Sequence, residues 1–229
     1  MKKVIEVCLG KLIKEPDNPD FWPVLSKIEQ SKASSIKSAI QRAQYIEVRA
    51  KLRWVLASFI DVKPKQLIFA LGTHGKPYLP DYSDYHFNLS HSGDQLAIAV
   101  AQHCPVGVDV EHWKQKADFQ ALVKRCFAEE EKAYWQALPD EHKKNSFYRF
   151  WTRKEAFVKA TGRGIALGLE QCVISPENPT ELLRVPTGYG PASDWKIVDL
   201  DFPEGISGAI AARACDLEVR IKKLSMLGL

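Results

Sequence analysis

The chain has 229 residues, 45% of them hydrophobic and 26% charged, with thirteen glycines and thirteen prolines unevenly spaced; this composition excludes collagen-like, low-complexity and generally disordered chains. Thirty-two basic against twenty-eight acidic residues leave a formal charge of +4, which admits an anionic ligand or an acidic partner without demanding nucleic acid. Five cysteines, Cys8, Cys104, Cys126, Cys172 and Cys215, lie far apart with no C-x-x-C, so reduced buried thiols are expected rather than a zinc site or a disulfide framework.

Residues 2–9 alternate as a strand does. The stretch from Met1 to Pro16 carries lysines, but Glu6 interrupts its apolar run, and it is not read as a signal peptide. Pro16 to Asp20 is a turn cluster. From Ile28 to Ile60 apolar residues recur every three or four positions, at Ile36, Ile40, Ala43, Ile46, Ala50 and Val55, with basic residues between them; this predicts a long helix that Pro64 ends. Leu67–Leu71 reads as a short strand, followed by the irregular loop Gly72-Thr73-His74-Gly75-Lys76-Pro77. Residues 86–89 and 96–102 read as strands joined by a turn-rich linker, Ser90-His91-Ser92-Gly93-Asp94. A further strand follows at 106–110, then helices over 118–137 and 145–161, the second closed by Gly162. Strands are expected again around 172–175, 195–200 and 206–212. The longest apolar run, Leu96 to Ala101, is far short of the ~20 residues a bilayer requires.

Two segments share a layout. Arg49 to Val100 and Phe150 to Ala212 each run helix, glycine-containing loop, strands, and Leu96-Ala97-Ile98-Ala99-Val100-Ala101 resembles Gly208-Ala209-Ile210-Ala211-Ala212. The expected fold is therefore α+β and pseudo-duplicated, with halves at 1–103 and 104–229, a seam near His103 to Pro105, and a ligand cleft between the halves.

Four stretches carry candidate chemistry. In Val106-Gly107-Val108-Asp109-Val110-Glu111, a strand would put Asp109 and Glu111 on one face. Adjacent carboxylates repel unless a cation sits between them, and a hard divalent ion accepts such oxygens; the plainer reading is a solvent-facing edge strand. In Phe150 to Lys159, a helix would line up Trp151, Glu155 and Lys159, each four apart. A surface ion pair is the plain alternative, but a Trp on a charged stripe favours a partly buried site. Asn88-Leu89-Ser90-His91-Ser92 offers hydroxyl and imidazole donors to an anion, or simply turns the chain. Gly75-Lys76-Pro77-Tyr78 pairs a glycine that admits close backbone approach with a stiffening proline. Gly162 to Gly168 is misspaced for a dinucleotide fingerprint, and Glu129-Glu130-Glu131 reads as a solvated helix face.

In their order and spacing, G-V-D-V-E at 107–111, W-T-R-K-E-A-F-V-K at 151–159, G-K-P at 75–77 and F-N-L-S-H-S at 87–92 resemble the 4′-phosphopantetheinyl transferase superfamily, in particular its two-domain Sfp-type members. The resemblance covers Gly75 to Lys159. It implies two similar α+β halves with coenzyme A between them. It also implies Mg²⁺-dependent transfer of 4′-phosphopantetheine to a serine of an apo acyl or peptidyl carrier protein, releasing adenosine 3′,5′-bisphosphate. On this footing Asp109, Glu111 and Glu155 would hold Mg²⁺, and Lys154 and Lys159 would face phosphate oxygens. Glu155, or a metal-bound water beside it, would take the serine proton. Asp109, Glu155 and Lys159 form the expected catalytic set. Ser90 and His91 would meet the 3′-phosphate, and Gly75, Lys76 and Pro77 would border the adenine. Arg42, Arg49 and Arg53 are candidates for further phosphate contacts or, equally, a solvated face; Glu131 is placed near the cleft. A monomer in the cytoplasm, with no nucleic-acid or membrane partner, completes the expectation. The competitors are a coenzyme A or nucleotide-binding module without turnover, and a nucleic-acid binder using the basic helix. The three-acid set argues against the first, and the scarcity of interleaved aromatics against the second.

Overall fold

The computed structural model describes residues 2–13, 18–178, 180–214 and 216–227. In chain order the elements are β1 (Lys3–Lys11), α1 (Lys27–Ser35), α2 (Ala39–Ile60), the hairpin β2 (Ala70–Leu71) and β3 (Pro77–Tyr78), β4 (Tyr85–Ser92), β5 (Gln95–Gln102) and β6 (Val106–His112). Then come α3 (Phe119–Cys126), α4 (Glu129–Ala137), α5 (Asp140–Thr161), β7 (Val173–Ile174), β8 (Leu182–Arg184), β9 (Trp195–Leu200), β10 (Ile206–Arg213) and β11 (Leu217–Lys223). The main sheets run β11-β1-β5-β4 and β6-β10-β9.

Strand periodicity explains how they stack. In β5, Leu96, Ile98 and Val100 face the cluster built with Leu52, Val55 and Leu56 of α2. The alternate Ala97, Ala99 and Ala101 face the second sheet. There they meet Val108 and Val110 of β6 and Ile210 and Ala212 of β10. The other face of β10 offers only Ala209 and Ala211 to the cluster around Phe157 of α5. Small residues thus let two sheets and two long helices pack in close layers, α2, first sheet, second sheet, α5, each central strand buried on both faces.

Several expectations change in detail. The helix over 28–60 is two: Ile36 is extended, and Ser38 starts α2 by accepting from the Gln41 N–H, while Ser26 and Glu29 form a reciprocal cap on α1. The helix over 118–137 also divides, at the extended Phe127. Helix α5 begins earlier than expected, directly after Pro139. The linker at 90–94 is mostly strand: β4 continues through Ser92, and Gly93, at φ +59, makes the turn with Asp94. Three strands escaped the sequence reading, β3, β8 and β11. The last pairs in parallel with β1, from Lys3↔Leu217 to Leu9↔Lys223, so it crosses the division at 103/104. Cys8, Cys104, Cys126 and Cys172 are free and buried. Cys215 and the Pro16–Asp17 part of the turn cluster lie outside the described residues. Among the described residues no helix is long and apolar enough to cross a membrane.

Candidate active site

The site begins with a glycine. A Cβ on Gly107 would stand 2.0 Å from the Ala156 carbonyl oxygen and 2.4 Å from the Ala160 nitrogen, both backbone atoms of α5. Only glycine therefore lets β6 press against the helix at this point. Two residues on, Asp109 meets Lys159 of α5 with Nζ and Oδ1 2.6 Å apart. The Lys159 ammonium also donates to Ser90 Oγ at 2.9 Å, and Ser90 donates to the same Asp109 oxygen at 2.9 Å. Glu111, on the same face of β6, accepts from Ser92 Oγ at 2.9 Å. Glu155 lies one turn before Lys159 on α5.

Burial and mutual repulsion set the electrostatics. Removal from water raises Asp109 to about 6; Lys159 opposes this and Glu111 adds to it. Burial, then the charge of Asp109, raises Glu155 to about 7, again against Lys159 and with a further push from Glu111. The three carboxyl groups thus feel one another and one ammonium. They are not a finished coordination shell: among the described residues no three acidic, His or Cys side chains stand close enough to hold a metal ion. Two of their oxygens, Asp109 Oδ2 and Glu155 Oε1, are nevertheless buried with no hydrogen-bond partner. Partnerless buried carboxylate oxygens are costly, and a hard divalent cation is the group that satisfies this donor chemistry.

Other expected residues take other places. Lys154 is not at a phosphate position. It is fully buried, 2.7 Å from Glu131, and donates to the carbonyls of Leu169 at 2.9 Å and of Cys172. Glu131 is likewise neither solvated nor at a cleft, because its oxygens accept the Ala128 and Ile174 N–H groups. Arg53 is 1% exposed, bonded to Glu29 and to the carbonyls of Pro64 and Leu67, which removes it from any ligand surface. Arg49 is also held by Glu29, at 2.5 Å. Arg42 donates to the Ile36 carbonyl at 3.4 Å. The basic face of α2 is thus largely spent on docking α1. His91 is exposed, with its Nδ1 3.4 Å from Gln44 Nε2.

Lys76 joins three elements. From the hairpin loop its ammonium donates to the carbonyls of Val106 on β6 (3.0 Å) and Ala160 on α5 (3.1 Å), and burial lowers it to about 8. With Pro77, His86, Pro105, Gly162 and Trp195 it lines a cavity of about 560 Å³; the three carboxylates are not among the lining residues. Gly75 turns the loop at φ +83. The sequence reading placed Asn88 and Ser92 in a stretch facing an anion or turning the chain; the structure instead has them accept the Val108 and His112 N–H groups of β6.

Carboxylates gathered beside a lysine, on a strand and a helix of packed layers, form an acidic, partly buried site with one ammonium. Comparison with known proteins gives its family. The profile of the 4′-phosphopantetheinyl transferase superfamily matches residues 105–213. The 4′-phosphopantetheinyl transferase HetI of Nostoc sp. is 33% identical over 196 residues, covering 84% of this chain and 80% of its own. The transferase psf-1 of Bacillus pumilus is 31% identical over 170 residues, 74% and 72% of the two chains. Sfp of Bacillus subtilis is 24% identical over 190 residues, 82% and 84%. The chain belongs to the 4′-phosphopantetheinyl transferase superfamily.

Proposed function

We propose that this protein transfers the 4′-phosphopantetheine group of coenzyme A to a serine hydroxyl of an apo acyl or peptidyl carrier protein, releasing adenosine 3′,5′-bisphosphate. The observation that carries the site assignment is the pair of buried, partnerless oxygens on Asp109 and Glu155 beside Lys159. In this reading Asp109, Glu111 and Glu155 would hold Mg²⁺, whose charge would offset that of the pyrophosphate when bound. Lys159 faces the phosphate oxygens. The serine oxygen bonds to the phosphorus nearest pantetheine as the bridging P–O bond to the nucleotide breaks, and the serine proton passes to Glu155.

The same reading takes residues 1–103 and 104–229 as copies of one unit, with coenzyme A between them. Its support is the parallel placement of β5 and β10, each central in its sheet, with α2 and α5 on the outer faces. His91, Gly75, Lys76 and Pro77 remain the nucleotide-side contacts, whereas the Ser90 hydroxyl, engaged by Asp109, Lys159 and the Val110 N–H, is spent within the carboxylate site; four buried free thiols suit a reducing, cytoplasmic setting. Incubation with coenzyme A, Mg²⁺ and a panel of apo-carriers, followed by intact-mass spectrometry, tests it. A gain of roughly 340 Da, the mass of the transferred group, is expected on at least one carrier and only with Mg²⁺. Coenzyme A binding with no gain on any carrier would leave a binding module instead.

A further inference from the structure

β4 and β6 are edge strands of two different sheets, yet they run side by side. Their junction is not an ordinary ladder. Three alternate side chains of β4 take the place of backbone carbonyls: Asn88 Oδ1 accepts from the Val108 N–H at 2.9 Å, Ser90 Oγ from Val110 N–H at 3.2 Å, and Ser92 Oγ from His112 N–H at 3.1 Å. Alternation puts all three on one face of β4. Interposed side chains hold strands farther apart than the ~4.8 Å of a direct ladder, so the seam stays satisfied without fusing the sheets.

Two of the three pins do something more. Ser90 and Ser92 spend their single hydroxyl protons on Asp109 Oδ1 and Glu111 Oε2. Each serine therefore clamps a strand N–H and the neighbouring carboxylate together, fixing one oxygen of each acid. Asn88 clamps only the strand. We propose that Ser92 is a positioning residue for Glu111, whereas Asn88 holds only the strand. This rests on the cation role given to that carboxylate above.

The seam supplies its own control, because Asn88→Ala loosens the same junction without touching a carboxylate. Mn²⁺ binding to the full chain, followed by electron paramagnetic resonance titration, is compared among wild type, Ser92→Ala, Ser92→Thr and Asn88→Ala, with urea midpoints in parallel. Loss of a hydrogen bond that orients a metal ligand costs about 10–100-fold in affinity. Ser92→Ala should weaken Mn²⁺ by about tenfold or more, Ser92→Thr should restore it, and Asn88→Ala should lower the urea midpoint with Mn²⁺ affinity unchanged. Equal Mn²⁺ affinity in wild type and Ser92→Ala, or equal loss in Ser92→Ala and Asn88→Ala, overturns the positioning role and leaves the carboxylate site standing. Failure of the wild type itself to bind Mn²⁺ overturns both.

Discussion

Lys154 and Lys159 sit five residues apart on α5, in one short motif, and each meets a carboxylate at close range: 2.7 Å to Glu131 and 2.6 Å to Asp109. Five residues rotate a helix by about 140° from face to face, and the two lysines enter different worlds. Lys154 and Glu131 have no exposed side-chain surface. The ammonium also holds two carbonyls, and Glu131 also holds two backbone N–H groups. Every polar atom is answered, and the pair knots α4 and the segment at 169–174 to α5. Lys159 keeps 29% of its side chain exposed beside carboxylate oxygens that nothing answers. The first pair is closed on itself; the second leaves Asp109 Oδ2 and Glu155 Oε1 unmet, and the proposed function rests on those oxygens.

The largest test of that distinction is Glu155→Gln. Removal of a positioned acid–base group costs about 10²–10⁴ in rate, so transfer should fall by at least that much while the far-ultraviolet circular dichroism spectrum is kept. Turnover within tenfold of wild type would sink the role given to Glu155. Next comes the pair of lysines. Lys154→Met leaves the buried Glu131 without its counter-charge, which costs about 3–5 kcal/mol, read as a large drop in the urea midpoint. Lys159→Met should lose much less stability, because its partner can be protonated near pH 6, and should show its damage in transfer to the carrier. The opposite order of stabilities would erase the contrast.

Most of this was legible in sequence only as residue types. The four motifs put Asp109, Glu111, Glu155 and Lys159 on the correct strand and helix, because alternation and helical spacing fix which side chains share a face. Lys154 was misread for a definite reason. Its acceptors are two backbone carbonyls and an acid twenty-three positions upstream, and neither leaves a local pattern. The serines of β4 look like turn residues by composition, but the N–H groups of β6 turn them into strand partners. β11 has alternating charges and little burial, too weak a signal for a strand, and its partner β1 lies at the opposite end of the chain. Arg53, expected on an open basic face, is buried because Glu29, from a helix hidden inside the same long apolar pattern, folds back onto it.

The smallest effect is also the most diagnostic, since it reads the strained half of the comparison without any substrate. Glu155 binds its proton at about 7 in the folded chain against an ordinary 4.5, and Asp109 at about 6 against 3.8. Between the ordinary and raised values the native state holds protons that the unfolded chain has released. Stability must therefore fall as pH rises through this window. Below about pH 4 both states are protonated and the penalty vanishes; above pH 7 it is fully present. In metal-free buffer, Glu155→Gln should match wild type near pH 4.5. It should become the more stable protein by about 1–3 kcal/mol at pH 8, the scale of a shift of two units shared with Asp109. Urea midpoints for both proteins from pH 4.5 to 8 make the measurement. Parallel curves would mean that Glu155 carries no burial penalty, and the buried, partnerless oxygen would no longer point to a missing cation.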